Sequence, residues 1–224
     1  MQFRIHKEGW VYFIILLLIS IISFPFIPYI GLTFSIITIY LFYFFRDPIR
    51  SVPFEDLIIS PADGVVTYVG ESEPPINIDI IQKKKFVKIS IFLNIFNVHV
   101  NRIPSTGIIK KIKYIHGKFI NATLDKSSKD NEKNIIVLEK ENDDLIIISQ
   151  IAGLIARRIV CEVKETQKVN QGHKFGIIKF GSRVDLYMPL HYKPLINVGQ
   201  ITVGGETILA NPNNIKEITK TIKI

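Results

Sequence analysis

Residues 174–189 read KFGIIKFGSRVDLYMP, and the expected architecture follows from the pattern in this segment. Two apolar runs rich in strand-forming residues flank Gly181 and Ser182, a pattern typical of two consecutive β-strands joined by a turn. Runs of the same kind, broken by Gly, Pro, Asn and Asp, recur from residue 57 onward: LIISPADGVVTYVG, KKFVKISIFL, VHVNRIPSTGIIKKIKYI, NIIVLEK, DLIIISQIAGLIARRIVCEV and GQITVGGETILA. The sequence therefore predicts a mainly β (α+β) domain over residues 51–224, built from antiparallel strands.

The first 50 residues differ in kind from the rest. Residues 10–45 contain no charged side chain, and this apolar run is longer than the about 20 residues that one membrane-spanning helix needs. Because Pro25 and Pro28 interrupt it near the middle, we expect a helical hairpin over residues 1–50 that either spans a bilayer twice or re-enters it. A cleaved signal peptide is the alternative, but its apolar region would be shorter and would end in small residues.

Charge predicts where this hairpin lies. Cations flank the apolar run on both sides: Arg4, Lys7, Arg46 and Arg50. The positive-inside rule then puts both ends, and the β domain, at the cytoplasmic face of the cell membrane. A net charge of +8 and a pI near 9.4 indicate an acidic partner, for which anionic lipid and nucleic acid both qualify. The hairpin favours lipid, and the sequence contains no recognisable nucleic-acid-binding motif.

Other features of the sequence narrow the chemistry. Cys161 is the single cysteine, which excludes an intramolecular disulfide and a cysteine-based metal cluster. Residues 117–134, GKFINATLDKSSKDNEKN, are polar and lack β-branched runs. They predict a long loop, and loops of this length often carry function. Residues 140–144 and 164–174 are expected to form ordinary turns.

Three short motifs could carry chemistry, and each also has a structural explanation. SPADG places Asp63 at the entry of a strand, where an Asp-Gly pair commonly forms a turn. NVHVNR places His99 among apolar strand residues, where a lone histidine is usually structural. The Gly181-Ser182 dipeptide is nearly uninformative by itself. Taken singly, none of the three identifies a function.

The motifs are more specific as an ordered set. SPADG, FLNIFNVHVNR, GKFINATLDK, QIAGLIARRIV and KFGSRVDLYMP follow one another in an order and spacing that resemble the short bacterial and archaeal form of phosphatidylserine decarboxylase. The likeness covers roughly residues 7–210, including EGW before the apolar run and FFRDP after it. It implies an enzyme that converts phosphatidylserine to phosphatidylethanolamine and CO2 at a membrane, with no metal and no nucleic-acid partner. It leaves a homo-oligomer open.

In that family the chain is a proenzyme, and the resemblance implies that it cuts itself between Gly181 and Ser182. The serine would become a covalent pyruvoyl cofactor, and the chains 1–181 and 182–224 would stay together as a heterodimer. In this chemistry the Ser182 Oγ attacks the Gly181 carbonyl, and the ester then eliminates to dehydroalanine, which hydrolyses with loss of ammonia. We expect the attack to need a strained, exposed turn and a preceding residue without a side chain in the way.

By the same resemblance, His99 is the base and Asp63 is the carboxylate that orients it. Longer family members have a second histidine at the position of Arg102. Either His99 therefore serves both cleavage and decarboxylation, or Arg102 binds a carboxylate or phosphate of the substrate. Further candidate substrate ligands come from the polar loop and its start: His116, Asn121 and Lys126.

Two rival interpretations belong to other functional classes. SPADGVVTYVG and NVGQITVGGETILA resemble the barrel-sandwich hybrids of biotinyl and lipoyl carriers, so we expect some of that character in the fold. A carrier needs a lysine at a hairpin tip, typically between methionines, and neither stretch supplies one. A non-enzymatic membrane-anchored lipid-binding protein would explain the hairpin and the charge, but not the ordered set of Asp63, His99 and Gly181-Ser182.

Overall fold

A computed structural model describes residues 4–76, 85–120, 130–154, 158–179 and 181–211. The first described elements are a 3₁₀ turn, Lys7–Gly9, and two antiparallel helices, α1 (Trp10–Ser23) and α2 (Pro28–Phe44). Pro28 is the first residue of α2, where its missing N–H costs no helical hydrogen bond. The predicted helical hairpin is therefore confirmed.

Small residues bring the two helices together. Ser20 Oγ donates to the Gly31 carbonyl at 2.9 Å and lies 2.7 Å from Ser35 Oγ. A Cβ built on Gly31 would lie 2.6 Å from the Cα of Phe24, so a larger residue would push the helices apart. Most other apolar side chains of the hairpin are exposed. Within the described parts of the chain, no helix is both long and apolar enough to cross a membrane.

The rest of the described chain consists of short strands. They are β1 (Ile58–Ile59), β2 (Gly64–Ser72), β3 (Phe86–Leu93), β4 (Val100–Arg102), β5 (Gly107–Ile115), β6 (Lys133–Glu139), β7 (Leu145–Ala152), β8 (Arg158–Cys161), β9 (Lys168–Val169), β10 (Lys174–Lys179), β11 (Ser182–Pro189), β12 (Lys193–Pro194), β13 (Ile201–Thr202) and β14 (Ile208–Asn211). The pairings between these strands are antiparallel. The predicted mainly β fold is confirmed.

Two of the predicted loop segments are partly strand. Residues 164–174 contain β9, which pairs with β5, and end at Lys174, the first residue of β10. At the end of the polar loop, Lys133 and Asn134 already belong to β6, where they pair with Ile151 and Gln150. The expectation of plain turn and loop was wrong there because cross-strand pairing decided the conformation of these polar residues.

Three sheets share one core. The largest sheet has the order β13-β2-β3-β11-β7-β6-β5-β9, and the smaller ones are β1-β14-β12 and β4-β10-β8. The main buried apolar cluster draws side chains from all three sheets. A second cluster joins Leu41, Phe44 and Phe45 of the hairpin base to Val100 of β4 and Ile177 of β10. The base of the hairpin is thus packed into the β domain.

Candidate active site

The segment between β10 and β11 holds the predicted cleavage position. Gly181 has a φ of +55°, in the left-handed region that favours glycine. Apart from its two chain neighbours, the nearest atom to a Cβ built on Gly181 would be Ile95 Cγ2, at 4.0 Å. Whether a side chain at position 181 would hinder attack by Ser182 itself stays a prediction. The backbone conformation by itself favours glycine at this position.

Ser182 is the first residue of β11, and it is fully buried. It is paired on one side with Leu93 of β3 and on the other with Ala152 of β7. The expectation of an exposed serine is wrong because β11 is a central strand of the largest sheet. The Ser182 Oγ has no hydrogen-bond partner within the described chain, which is unusual for a buried polar atom.

Two connections place His99 in the same corner of the fold as Ser182. The turn of residues 94–97 begins directly after Leu93, the partner of Ser182, and leads to His99. The carbonyl of His99 also accepts a hydrogen bond from the backbone N–H of Ile178, four residues before Ser182. The described structure therefore brings the two predicted residues together in one region.

The surroundings of His99 determine its chemical state. The side chain is fully buried, and its ring packs on Phe44 with centroids 4.3 Å apart. Burial lowers the pKa of His99 to about 4, so the ring is neutral near pH 7. Nδ1 lies 3.0 Å from the Asn97 carbonyl, which can only accept, so Nδ1 carries the proton. The lone pair is then on Nε2, which has no partner in the described chain. His99 is therefore equipped to accept a proton at Nε2.

Asp63 precedes β2, the strand on the far side of β3 from β11. Both of its carboxylate oxygens accept from Arg50 Nη2 at 2.9 Å, and Oδ1 also accepts from the Gly204 N–H at 2.8 Å. Burial raises the pKa of Asp63, and the charge of Arg50 opposes that shift. Because His99 Nδ1 contacts the Asn97 carbonyl and Nε2 has no partner, no direct hydrogen bond joins His99 and Asp63 within the described chain. Asp63 lies roughly 10 Å, or two strand spacings, across the sheet from the strand of Ser182.

The segment that joins the hairpin to the β domain contacts several site residues, and sequence reasoning missed this. Besides Phe44 on His99, Asp47 pairs with Arg102 at 2.8 Å, and Arg50 pairs with Asp63. The signal in the sequence was FFRDPIR, which holds the end of the apolar run and the charges directly after it. We interpreted Arg46 and Arg50 only as determinants of membrane orientation and gave Asp47 no role, although all three side chains bind groups of the β domain.

Arg102 makes its hydrogen bonds to other groups of the protein. Its guanidinium donates to Asp47 Oδ1 at 2.8 Å, to the Pro48 carbonyl at 3.0 Å and to the Gly172 carbonyl at 3.0 Å. The side chain is nearly buried. Its role in binding a substrate anion stays a prediction, and the contacts favour a role in fixing the segment at Asp47.

The other predicted ligands lie elsewhere. His116 is exposed, 3.9 Å from Glu132 Oε2, and its ring meets the ring of Tyr114 edge to face. Asn121 and Lys126 lie outside the described residues. The described structure thus brings Ser182 and His99 to one corner, with Asp63 one strand beyond β3.

A serine and a neutral histidine, both buried and each with an unpaired polar atom, define a site for nucleophilic and acid–base chemistry. The sequence model of the phosphatidylserine decarboxylase family matches residues 37–210. The chain therefore belongs to the phosphatidylserine decarboxylase family, and the resemblance in its motifs is confirmed.

Curated relatives agree with this assignment. A protein of Ehrlichia chaffeensis named phosphatidylserine decarboxylase proenzyme is 51% identical over 209 residues, covering 92% of this chain and 91% of the relative. A protein of the same name from Wolbachia pipientis is 46% identical over 217 residues, covering 96% and 94%. A third, from Rickettsia typhi, is 46% identical over 208 residues, covering 92% and 90%. The likeness therefore extends over nearly the whole chain.

Proposed function

We propose that this chain is a pyruvoyl-dependent phosphatidylserine decarboxylase that becomes active by cutting itself between Gly181 and Ser182. The observation that carries the proposal is the Gly-Ser pair at the start of β11. In this member of the family, Ser182 is buried and directly follows Gly181, whose φ angle is positive. The Ser182 Oγ has no hydrogen-bond partner within the described chain, and neutral His99 lies in the same region.

In the cleavage step, the Ser182 Oγ loses its proton and bonds to the carbonyl carbon of Gly181, and the peptide C–N bond breaks to leave an ester and a free amine. His99 Nε2 is the acceptor that we assign to the Oγ proton. Loss of the Ser182 Cα proton then expels the Gly181 carboxylate from Cβ. The dehydroalanine that results takes up water and releases ammonia. Only serine, cysteine or threonine could supply such a nucleophile and leaving group at this position.

The position suits the group that this chemistry would form. A pyruvoyl group derived from Ser182 would supply a carbonyl that binds the substrate amine and accepts the electron pair released with CO2. Ser182 is fully buried between β3 and β7, so the surrounding strands exclude bulk water from position 182. His99 could deliver the proton that replaces the lost carboxylate only after Nε2 has first accepted one.

We also propose that the hairpin holds the enzyme on the cytoplasmic face of the cell membrane. The supporting observations are the exposed apolar side chains of α1 and α2 and the cations on both flanks. A diacyl lipid leaves a bilayer reluctantly, so the site has to approach the headgroup. A membrane-bound enzyme meets this requirement.

The cut itself tests the proposed function. Purified protein should run as two fragments on a denaturing gel, with masses that match residues 1–181 and 182–224. The small fragment should resist Edman sequencing because its first group carries no amine. Borohydride added with phosphatidylserine should attach the lipid covalently to that fragment. A single uncut chain that still decarboxylates the lipid would refute the pyruvoyl mechanism.

Substitutions distinguish a chemical role of Ser182 from that of an ordinary buried serine. Ser182→Ala should abolish both cutting and activity, and Ser182→Cys should cut slowly, because a thiol can make the same acyl shift. His99→Ala should slow cutting by a factor on the order of 10² to 10⁴. The matched control is Ser149→Ala on β7, since Ser149 is also buried with an unpaired Oγ. It should be cut at the rate of the unaltered chain. A non-enzymatic lipid-binding protein would show none of these differences.

A further inference from the structure

Exposed apolar side chains flank Ser182 where three central strands of the largest sheet end. Ser182 begins β11 and is paired with Leu93 and Ala152, the last residues of β3 and β7, so the chain leaves both of these strands beside Ser182. Beyond Leu93 come Ile95 and Phe96, which are 37% and 58% exposed. Beyond Ala152 comes Leu154, which is 66% exposed. We call Ile95, Phe96 and Leu154 the apolar rim.

The first part of the apolar rim is held rigidly. Asn94 Oδ1 accepts from the Phe96 N–H at 2.8 Å, and Asn97 Oδ1 accepts from the Asn94 N–H at 2.9 Å. The Asn97 N–H also donates to the Asn94 carbonyl at 3.0 Å. Asparagine side chains commonly close such turns. Two apolar side chains are therefore presented to the outside by a turn that has little freedom to withdraw them.

The apolar rim is continuous with the hairpin. The Tyr40 hydroxyl of α2 donates to the Ile95 carbonyl at 3.1 Å, and the rings of Tyr40 and Phe96 meet edge to face at 6.3 Å. The outer faces of both helices are apolar and exposed as well. One apolar surface thus runs from the hairpin to the strand ends beside Ser182. On most soluble proteins, by contrast, exposed apolar side chains are scattered singly.

A cation lies where the apolar rim meets the site. Arg46 Nη2 donates to the Phe96 carbonyl at 2.8 Å. Its charge also acts on both Asp63 and His99. A phospholipid has the same sequence of groups, with acyl chains first, then the phosphate, then the reacting headgroup. The order of apolar rim, Arg46 and site matches it in both polarity and charge.

We propose that the apolar rim inserts among the acyl chains of an anionic phospholipid bilayer and so presents the lipid headgroup to Ser182. The rim is thereby a second lipid-binding element besides the hairpin, and it sets the depth of the site at the membrane surface. The orienting role rests on the proposed function, whereas insertion does not. Insertion can therefore be tested on protein that neither cuts nor reacts.

Fluorescence tests the insertion. Trp10 is the single tryptophan, so Phe96→Trp in a Trp10→Phe background reports only on the apolar rim. With vesicles of phosphatidylglycerol and phosphatidylcholine, its emission should shift to the blue and be quenched by lipids brominated on the acyl chain. Leu190→Trp in the same background is the control, because Leu190 is 49% exposed at the opposite end of β11. Its emission should change little. Equal quenching of both probes, or no quenching of the Phe96 probe on vesicle-bound protein, would overturn the proposal.

Activity tests the orienting role. Phe96→Ser and Leu154→Ser should each lower kcat/KM on phosphatidylserine vesicles by roughly tenfold, the value of burying part of one large apolar side chain. Both variants should cut themselves normally and act normally on water-soluble glycerophosphoserine. Leu190→Ser should match the unaltered protein on both substrates. Equal losses on both substrates would assign the residues to folding or chemistry instead.

A second copy of this chain is the remaining alternative partner for this surface. If the apolar rim bound a second copy, Phe96→Ser would convert a dimer to a monomer in sedimentation without vesicles, and the Phe96 probe would be blue-shifted before lipid is added. That result would overturn the proposal. Failure of the unaltered chain to cut or to decarboxylate would reject the proposed function alone, because the quenching experiment would still report insertion.

Discussion

At the scale of single residues, the site depends on two buried polar atoms. The Asn97 carbonyl fixes the proton of His99 on Nδ1 and leaves the lone pair on Nε2, the atom to which the proposed mechanism assigns the role of base. Burial makes that base weak, which keeps it neutral over the physiological range. Ser182 is buried in the same region, so proton transfer between the two would take place away from bulk water. Under the proposed mechanism, the protonation state of the imidazole would therefore determine when cleavage can occur.

This gives the pH dependence of self-cleavage a definite sign. Only neutral His99 can accept a proton, and its pKa is lowered to about 4, so the rate should stay nearly constant from about pH 8 to about pH 5. It should fall below that, as the ring becomes protonated. The measurement is the appearance of the small fragment after freshly synthesised chain is shifted to each pH, with circular dichroism to confirm that it remains folded.

The control for the pH experiment is an exposed histidine. His191 is about half exposed and contacts Asp144 at 3.0 Å, and His191→Asn should leave the pH curve unchanged. A fall in rate centred near pH 6.5, the ordinary value for histidine, would mean that the base is not buried His99.

At the scale of elements, the end of α2 and the segment that follows it organise the site. The last residue of α2, Phe44, packs on His99. In the following segment, Asp47 lies between Arg102 and Lys174, and Arg50 pairs with Asp63. Asp47 is nearly buried, and it accepts from Arg102 at 2.8 Å and from Lys174 at 2.7 Å. One carboxylate thus compensates two cations from separate parts of the chain. Its loss should affect the whole domain.

Asp47→Asn should therefore lower the free energy of unfolding by about 3 kcal/mol, because it leaves a nearly buried guanidinium without its counter-charge. Urea denaturation of the chain in its Ser182→Ala form, which stays in one piece under the proposed mechanism, measures this directly. The control is Glu71→Gln, which breaks the exposed pair of Glu71 with Lys85 and should cost less than about 1 kcal/mol. Equal effects of the two variants would show that Asp47 does not connect these elements.

At the scale of the whole molecule, the hairpin has two parts with different roles. Its tip is exposed, with Phe24 at 52%, Phe26 at 81% and Ile27 at 50%. Its base is core, since Phe44 and Phe45 are almost completely buried. Deleting the entire hairpin would therefore remove the proposed membrane contact and the core packing together. Substitutions separate the two roles.

Replacing Phe24, Phe26 and Ile27 together with serine should release the protein from membranes and leave self-cleavage unchanged, since these side chains contribute little to the core. Phe44→Ala should leave membrane binding intact but slow cleavage strongly. Removing a buried aromatic ring costs about 3–5 kcal/mol, and in this case the ring also supports His99. Membrane flotation and the fraction of cut chain measure the two effects. If the tip variant stays on membranes, surface charge and not the hairpin holds the protein there.

The sequence by itself determined the local features of this protein. The β-branched runs predicted its strands, the uncharged run with its two prolines predicted a helical hairpin, and the order of short motifs identified the family. These features depend on periodicity and on residue type, which are local properties. The glycine at position 181 was also evident, and the structure adds a reason that the sequence did not give, a positive φ angle.

Only the tertiary structure decided the environment of the site. The pairing of β11 with β3 and β7 buried Ser182, and the turn of residues 94–97 fixed the tautomer of His99. The tautomer of His99 depends on a near group, the carbonyl of Asn97, but only the folded turn places that carbonyl beside Nδ1. Asp47 became the partner of Arg102, and Arg50 the partner of Asp63. Burial and ion pairing of this kind depend on which groups surround a side chain in the fold, and no local pattern encodes that, because packing of the sheets against the hairpin base brings those groups together.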